Sequence, residues 1–449
     1  MSNEQVAMSN ERKQSKLDEL IQQYCPDGIE FVPLWSVTIW DKKFNSVDKK
    51  KQPKVISYPY ILAKDMFALE QENGDVFLLS TGEQTGWTTE DIAGDFLCEG
   101  EVVSIPWGKS RKVSEVMKYY NGKFVTADNR IATSSDTSIL SNKYLYYWML
   151  SQGDLIDSFY RGSGLKHPSM KDVLDMKMPL PPLEVQSEIV RILDNFTELT
   201  AELTAELTAR KKQYEYYRTK LLERPENESK MVSVANLGKW SGGKTPSTAN
   251  KEFWENGTIP WISSKDMKAP TLEDTEDHLT EKALDEGGMA LLPEGTIAVV
   301  TRSGILKHTF PVAYVPFKTT VNQDIKALVV KEGISSRYVF HALQAYAENI
   351  RKSTKKQGGT VDSLDFQRVL AYEIPVPALD VQNRLVNVLD NFDAICSDLK
   401  IGLPAEIEAR KKQYELYREQ LLTFAEGGRT ILTDRQTDRQ TDRQTSIMR

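Results

Sequence analysis

The sequence predicts an α+β fold: two β-rich domains joined by two long helices that form an antiparallel coiled coil, with an internal pseudo-twofold duplication. The main observation is a stretch that occurs twice, at residues 179–222 and 375–422. Both copies open with Pro-x-Pro, pass through Leu-Asp-Asn-Phe and close on Ala-Arg-Lys-Lys-Gln-Tyr-Glu. The second observation is that the segments before each copy are rich in short β-branched runs between Gly, Asp and Asn, which is typical of strands.

Shorter echoes extend the repeat to the whole chain of 449 residues. Lys64-Asp65-Met66 is repeated at Lys265-Asp266-Met267, and Asn142-Lys143-Tyr144 corresponds to Ser336-Arg337-Tyr338. An internal repeat fixes the architecture before any detail is considered. We therefore expect the domains in this order: an N-terminal helix segment (1–24), domain one (25–178), a central spacer helix (179–223), domain two (224–374), a C-terminal spacer helix (375–425) and a repeat tail (426–449).

Local patterns predict the elements within this frame. A helix is expected at 11–24 and another at 142–158, since their apolar residues recur at helical spacing. Strands are expected where short apolar or aromatic runs end at turn residues, namely 55–62, 76–79, 102–105, 124–131, 175–180, 234–240 and 259–262.

The repeated helices carry an apolar seam at alternating steps of three and four residues, which is the signature of a coiled coil. A helix of this length cannot bury such a stripe alone, so we expect the other copy as its partner. The second seam includes Val388 and Ile395, and Gly402-Leu403-Pro404 should kink or interrupt its helix. The seam residues that we single out are Val185, Ile189, Phe196, Leu199, Leu203, Leu207, Val381, Leu385, Phe392 and Leu399.

The first helix contains a tandem Thr-Ala-Glu-Leu tract at residues 200–207. Each unit adds roughly 6 Å of helix, about one turn, and keeps leucine near the seam. The tract is also a good helix former without any further role. We interpret it as a register-preserving step that sets helix length.

Composition narrows the function classes. The chain is 40% hydrophobic and 27% charged with net charge −7, and the three cysteines lie far apart. We expect reduced thiols in a cytoplasmic protein, no membrane span and no secretion signal in the polar N-terminal residues. The acidic balance by itself weakens a nucleic-acid role, for which a basic domain is the usual footprint.

Catalytic motifs are mostly missing from the sequence. It has no phosphate-binding glycine loop, no H-E-x-x-H and no nucleophile elbow. Its four histidines are too scattered to suggest a metal site. A nuclease-like set could be drawn from Asp27, Asp41 and Lys43, but Pro26-Asp27-Gly28 is better interpreted as a turn. Pro181-Pro182 lacks the flanking residues of an adenine-methyltransferase motif. We therefore expect no catalytic residues and no metal site.

Basic residues cluster at similar places in both halves, in loops rich in Gly, Ser and Thr. Such loops can bring cationic and hydroxyl groups to phosphates and base edges. Each cluster alone is more often a solvated face, but their recurrence in both halves favours DNA binding. The candidate DNA-binding residues are Lys109, Arg111, Lys112, Arg161, Lys166, Lys244, Thr245, Lys265, Arg302 and Lys307.

Together these features resemble the specificity subunit of type I restriction–modification enzymes. The resemblance rests on two variable β-rich domains, each followed by a Pro-x-Pro-Leu-x-x-Gln helix, on Ile259-Pro260-Trp261 and on the Thr-Ala-Glu-Leu tract. It covers about residues 11–424. It implies that each β-rich part is a target-recognition domain that reads one half of a bipartite, asymmetric DNA site.

The resemblance also implies partners and cofactors. The coiled coil would set the gap between the half-sites and dock two methyltransferase subunits, with restriction–translocation subunits joining that core. The partners, not this chain, would bind S-adenosylmethionine, ATP and Mg²⁺. Two other interpretations stay open: a recognition subunit of another DNA-modification system, or a protein-binding scaffold with a coiled-coil spacer.

The C-terminal tail repeats Thr-Asp-Arg-Gln three times from Thr433. A four-nucleotide DNA repeat would encode this period, so we hypothesise a slippage-prone, phase-variable tract. A disordered polar tail is the simpler expectation for the protein itself. Mixed codons across the repeats would reject slippage.

Overall fold

The computed structural model describes residues 16–108, 111–222, 229–356, 361–397 and 402–423. These residues fall into two compact units. Unit 1 runs to Ala201 and takes up the chain again from Glu408, and unit 2 is Glu202–Ile407. Each unit therefore combines one β-rich part with segments of both repeated helices. The repeat tail lies outside the described residues.

Unit 1 begins with helix α1 (Lys16–Tyr24) and is built around one mixed sheet. Its strands are β1 (Phe31–Pro33), β2 (Thr38–Trp40), β3 (Val76–Leu79), β4 (Trp87–Thr88), β5 (Cys98–Pro106), β6 (Lys118–Thr126), β7 (Asn129–Ser134), β8 (Tyr160–Arg161), β9 (His167–Pro168) and β10 (Lys177–Pro179). Its further helices are α2 (Leu34–Val37), α3 (Ala63–Met66), α4 (Glu90–Ala93), α5 (Val113–Val116), α6 (Asn142–Ser151), α7 (Gly153–Ser158) and α8 (Met170–Leu174). Short 3₁₀ turns lie at Lys49–Lys51, Phe67–Leu69 and Gly94–Phe96.

The main sheet of unit 1 has six strands in the order β2-β7-β5-β6-β3-β4. Its pairs are antiparallel except β3 with β6, which are parallel. The ribbons β1–β10 and β8–β9 complete the strands. One core packs α6 against this sheet and against the start of the long helix, through Val185, Ile189 and Leu193. Leu421 and Leu422, from the end of the last helix among the described residues, belong to the same core.

The first repeated helix, α9 (Leu183–Leu222), is continuous over 40 residues. At 1.5 Å per residue it is roughly 60 Å long. In the second copy, α14 (Leu379–Ser397) is followed by α15 (Leu403–Leu422). Pro404 lies in the first turn of α15, where proline is tolerated because its missing N–H would have no helical partner. The interruption expected around Gly402 and Pro404 thus takes the form of two helices, and Leu399 lies outside the described residues.

Unit 2 repeats the plan with different strand lengths. Its strands are β11 (Ser229–Ser233), β12 (Gly238–Gly242), β13 (Ile259–Ile262), β14 (Asp277–Leu279), β15 (Thr296–Val300), β16 (Val312–Val315), β17 (Thr320–Val321), β18 (Ile325–Val330) and β19 (Glu373–Pro377). Its further helices are α10 (Glu281–Asp285), α11 (Ser336–Ala345), α12 (Ala347–Thr354) and α13 (Phe366–Ala371), with 3₁₀ turns at Val234–Leu237, Lys251–Phe253 and Gly304–Lys307.

The strands of unit 2 form a four-stranded sheet, β12-β18-β15-β16, and a three-stranded sheet, β14-β13-β17. The ribbon β11–β19 closes the unit where both ends of the chain leave it for the helices. Its core contains β15, α11 and the inner face of α14, together with Tyr214 and Leu222 of α9.

Several predicted elements need correction. Residues 55–62 form only two isolated bridges, at Val55 and Tyr60, because Ser57 has a left-handed φ of 62° and Pro59 has no N–H to donate. The predicted strand 124–131 contains the end of β6, the turn after it and the start of β7. The predicted helix 142–158 is two helices, α6 and α7. Residues 234–240 are a 3₁₀ turn followed by β12.

The predicted seam is wrong at two positions of α14. Val388 and Ile395 are 45% and 44% exposed, whereas Leu389 is fully buried and Cys396 is 2% exposed. In α9, Leu193 is likewise fully buried. The cause is that the start of each helix packs on a β-rich domain. The buried stripe is therefore the broad face of a 3.6-residue helix rather than a narrow heptad seam.

No helix in the described parts of the chain is long and apolar enough to cross a bilayer. Cys25, Cys98 and Cys396 are buried free thiols.

Candidate nucleic-acid interface

The end of strand β5 carries an exposed aromatic cluster in unit 1. The Trp107 ring lies 4.1 Å from the His167 ring, centroid to centroid, and the carbonyl oxygen of Trp107 is 3.0 Å from His167 Nδ1. The Arg130 guanidinium lies 6.0 Å from the Trp107 ring. A Cβ at Gly108 would come within 2.6 Å of a Leu165 methyl, so the loop after β8 packs directly on this strand end.

The candidate basic residues of unit 1 lie on the hairpin β8–β9 and in the segment that follows Trp107 in the sequence. Arg161 is the last residue of β8 and Lys166 lies in the exposed loop between β8 and β9; Arg161 pairs with Asp172 at 3.0 Å. Arg111 bonds Glu83 at 2.8 Å, and Lys112 lies 3.7 Å from Asp154. All four are exposed, and the solvent-exposed ion pairs of Arg161, Arg111 and Lys112 contribute little stability. Lys109 lies outside the described residues.

In unit 2 the corresponding strand end carries an arginine. Arg302 Nε bonds Asp324 Oδ1 at 2.7 Å. Lys307 lies at the end of the 3₁₀ turn that follows, and its carbonyl accepts a bond from Arg351 at 3.0 Å. The Thr245 hydroxyl bonds Gln323 at 2.7 Å, which brings the glycine-rich loop next to Asp324. Arg302 and Thr245 are thus brought together through residues 323–324.

The remaining two candidates of unit 2, Lys244 and Lys265, have different surroundings. Lys244 is exposed and lies beside a cavity of about 230 Å³ lined by Gly242, Gly243, Met289 and Val321, among others. Lys265 instead lies between two carboxylates, 2.7 Å from Asp277 and 3.4 Å from Glu276. Its hydrogen bond to Asp277 raises its pKa. The charge of Lys265 is therefore compensated within the unit, which makes it a weak candidate for a phosphate contact.

The repeated helices are anchored to the β-rich parts by a buried glutamine in each unit. Gln186 Nε2 donates to the carbonyls of Pro181 and Ile139, both at 2.7 Å, and its Oε1 accepts from Ser141 N at 2.9 Å. Gln382 makes the matching bonds to Pro377 at 2.8 Å and from Ser335 N at 2.8 Å. Since Ser141 and Ser335 cap α6 and α11, each glutamine ties two helix starts together.

The Leu-Asp-Asn-Phe motif provides the next anchor. In unit 1, Asp194 accepts from the Tyr147 hydroxyl at 2.6 Å and from Lys143 at 2.8 Å. Phe196 stacks on Tyr417 of α15, with ring centroids 5.2 Å apart. The motif near the start of one repeated helix therefore contacts the other repeated helix just after its Lys-Lys-Gln-Tyr motif.

Unit 2 uses the same motif, with an arginine in place of the lysine and a histidine in place of the tyrosine. Asp390 bonds Arg337 and lies 2.6 Å from Nε2 of His341, while Phe392 stacks with Tyr214 at 6.4 Å. His341 is fully buried, and this burial lowers its pKa although Asp390 acts in the opposite direction. His341 takes the place that Tyr147 holds in unit 1.

The other predicted helix residues differ in burial. Val185 and Ile189 are fully buried in the unit 1 core, and Leu385 is 9% exposed in the unit 2 core. Val381 and Phe392 pack against the unit 2 core from its edge, as does Leu207. Leu199 and Leu203 are half-buried, and the alanines and glutamates of the same tract are exposed. Among the described residues, no cluster of three or more His, Cys, Asp or Glu side chains could hold a metal ion.

The sequence profile of the type I restriction modification DNA specificity domain matches the chain twice, at residues 41–210 and 226–409. These matches cover most of the chain and follow its duplication. The chain belongs to the type I restriction–modification DNA specificity family.

Comparisons with individual proteins agree with this membership. The chain is 42% identical over 302 residues to the specificity subunit of the type I restriction enzymes EcoR124I and EcoR124II of Escherichia coli, covering 66% of this chain and 74% of that subunit. The fold is similar to the specificity subunit structure from M. genitalium (TM-score 0.54, 15% identity, 88% and 96% of the two chains). It is also similar to a chain from a study of type I complex assembly and conformational transition (TM-score 0.57, 11% identity, 88% and 97%).

As a specificity subunit, the chain recognises DNA targets and is not the catalytic component of its system. The predicted basic residues are only some of the side chains that are exposed at the strand ends. Sequence reasoning missed Trp107 and His167, because it searched for cations rather than for exposed aromatic rings. The repeated glutamine was visible as a motif, but its buried bonds to the helix caps were not.

Proposed function

We propose that unit 1 and unit 2 each read one half of a bipartite, asymmetric DNA target. One observation carries this proposal. The strand pairs β5–β7 and β15–β18 have matching register, yet the position two residues after the equivalent Ile105 and Val300 is Trp107 in one unit and Arg302 in the other. A common scaffold that presents different side chains suits two different half-sites, since base-edge contacts specify sequence while phosphate contacts position the protein.

In this proposal the repeated helices set the distance between the half-sites. Support comes from the unbroken 40-residue helix α9 and from the buried glutamine and aspartate anchors at the helix starts. The Thr-Ala-Glu-Leu tract lies within α9. A helix that is anchored near its start transmits any change of length as a displacement of about 1.5 Å per residue.

The same helices would dock two methyltransferase subunits, which restriction and translocation subunits then join. The exposed apolar side chains of Val388 and Ile395 support a docking face on α14. They lie seven residues apart, hence on one side of the helix. S-adenosylmethionine, ATP and Mg²⁺ would be bound by those partners, and the complex would act in the cytoplasm.

Adenine methylation mapping of the whole genome, with and without the gene for this chain, tests the proposal. We expect one bipartite motif to lose methylation when the gene is deleted and to regain it on complementation. Gel shifts of the co-purified complex should show preference for the same motif. An unchanged methylation pattern, with no sequence preference in the gel shifts, would contradict the proposal and favour a protein-binding scaffold instead.

A further inference from the structure

The two units share one register around their central strands. In unit 1, Ile105 of β5 is paired with Arg130 of β7. In unit 2, Val300 of β15 is paired with Ile325 of β18. Both members of the second pair follow their counterparts by 195 positions, so the two pairs are structurally equivalent. Two residues beyond each pair, Trp107 and Arg302 therefore occupy the same place in the fold.

The same kind of loop supports this place in both units. In unit 1, His167 contacts the Trp107 carbonyl and Leu165 covers Gly108. In unit 2, Ser303 N donates to Asp362 O at 3.0 Å and Leu364 N donates to Thr301 O at 2.9 Å. Each supporting loop follows the second of two consecutive helices, α7 or α12. The backbone at both positions is consequently held by hydrogen bonds, while the side chains stay exposed.

The chemistry in unit 2 suits recognition of a hydrogen-bonding base edge. The Arg302 side chain is 59% exposed and that of Asp324 is 21% exposed. Asp324 engages Nε, and the terminal nitrogens of Arg302 have no hydrogen-bond partner among the described residues. The guanidinium is thus oriented on one edge and open on the other. An arginine fork pairs with O6 and N7 of guanine in the major groove.

The chemistry in unit 1 is apolar at the same position. Trp107 is 37% exposed, and Leu165 beside it is 54% exposed. The ring is held against His167, so little side-chain freedom remains to be lost on binding. A fixed apolar surface distinguishes base pairs by contact with the thymine methyl group, which only A·T and T·A pairs carry.

We infer that Trp107 and Arg302 are equivalent specificity-determining residues of the two recognition units. Arg302 reads a guanine in the half-site of unit 2, and Trp107 contacts a thymine methyl in the half-site of unit 1. The assignment rests on the proposed function, because it presupposes that both units read DNA. It adds the position in the fold and the base chemistry that each unit recognises there.

The test uses the complete complex with its methyltransferase subunits. Binding is measured on the mapped target and on every single-base-pair variant of it. Arg302→Ala should lose about ten- to hundredfold of discrimination at one guanine, the range of one good bidentate contact. Arg302→Lys should lose the same discrimination while keeping overall affinity, because it retains the charge but not the fork. Trp107→Ala should relax one T·A position in the other half-site, and Trp107→Phe should relax it less.

Matched controls are Arg368→Ala, an exposed arginine on α13, and Leu155→Ala, an exposed apolar residue on α7. Both should leave every base preference unchanged. If the wild-type complex is specific but Arg302 and Trp107 variants keep its preferences, or only weaken binding equally for all sequences, the assignment is overturned alone. A wild-type complex without sequence preference would overturn the proposed function and the assignment with it.

Discussion

At the residue scale, the buried glutamines explain why the repeated stretch places a glutamine inside each core. Gln186 is fully buried and Gln382 is 1% exposed. We expect Gln186→Met and Gln382→Met to destabilise their units by about 1–3 kcal/mol each, because a backbone N–H and one or two carbonyls lose their partners. Chemical denaturation measures this. Gln367→Met, at an exposed site on α13, is the control, and an equal loss there would refute the anchoring role.

The His341 anchor gives unit 2 a pH dependence. Burial lowers the pKa of His341 in the folded unit, and Tyr214, Asp390, Asp393 and Arg337 face or surround it. A lowered pKa means that the unfolded chain binds the proton first. The stability that neutral His341 contributes is therefore fully present above the unfolded pKa of about 6.5, and it decreases as the pH falls through that value.

Unfolding measured between pH 7.5 and 5.5 tests this dependence. We expect the wild type to lose stability on acidification and His341→Gln to lose less of it, on the order of 1.4 kcal/mol less per unit of pKa difference. His278→Gln is the control, since His278 is a partly exposed histidine with an exposed Asp274 partner. Identical pH profiles for wild type and His341→Gln would contradict the assignment.

Residue types could be predicted from the sequence more readily than their environments. The cations Arg302 and Arg161, which the sequence singled out as DNA-binding candidates, are exposed in the structure. The compensation of Lys265 was invisible, because Glu276 and Asp277 approach it only through the pairing of β13 with β14. The buried contacts of His341 could not be predicted either, because its partners Asp390 and Tyr214 come from two helices that are distant in the sequence.

At the element scale, the Thr-Ala-Glu-Leu tract behaves as a repeatable helical step. Three leucines at successive turns are half-buried, namely Leu199, Leu203 and Leu207. The Thr200 hydroxyl donates a hydrogen bond to the carbonyl of Phe196 at 2.8 Å. Inserting one further unit should lengthen α9 by roughly 6 Å. We expect both half-sites to be kept and the spacer between them to grow by one or two base pairs, as read from methylation mapping. An unchanged spacer would reject the ruler.

The exposed apolar positions of α14 make a second prediction at this scale. Val388→Lys and Ile395→Lys should leave folding intact, because both side chains are already nearly half exposed. Each should weaken association with the methyltransferase about tenfold or more, measured by titration of purified subunits, if these positions lie in the docking face. Asn383→Lys, an exposed change on another face of the same helix, should have little effect. Equal weakening by all three would argue for a general charge effect.

The long helices were the most predictable elements, because 40 residues of sustained periodicity outweigh any local ambiguity. Their buried faces were less predictable. The heptad pattern predicted that Val388 would be buried. In the structure Leu389 is buried instead, because a β-rich domain covers the start of α14. The prediction of a short strand at residues 55–62 was also wrong. The sequence there looks extended, but it contains Ser57 in a left-handed conformation and Pro59.

At the scale of the whole molecule, duplication is the organising fact. Each unit takes its β-rich part from one continuous stretch and its helical part from both repeated helices. The duplication itself could be predicted from the repeat, whereas the strand pairings that build each sheet are non-local and could not be inferred from patterns alone. The shared register of β5 and β15 shows that the scaffold survived while the exposed residues diverged.

The central claim is that each unit reads its own half-site. The most direct measurement replaces residues 230–374 with the corresponding domain of another family member. Both ends of this exchange lie within β11 and β19, the ribbon where the chain enters and leaves the unit, so α9 and α14 are retained. Methylation mapping of the hybrid complex should show one half-site changed, with the other half-site and the spacer kept. A hybrid that changes both half-sites, or neither, would contradict the account.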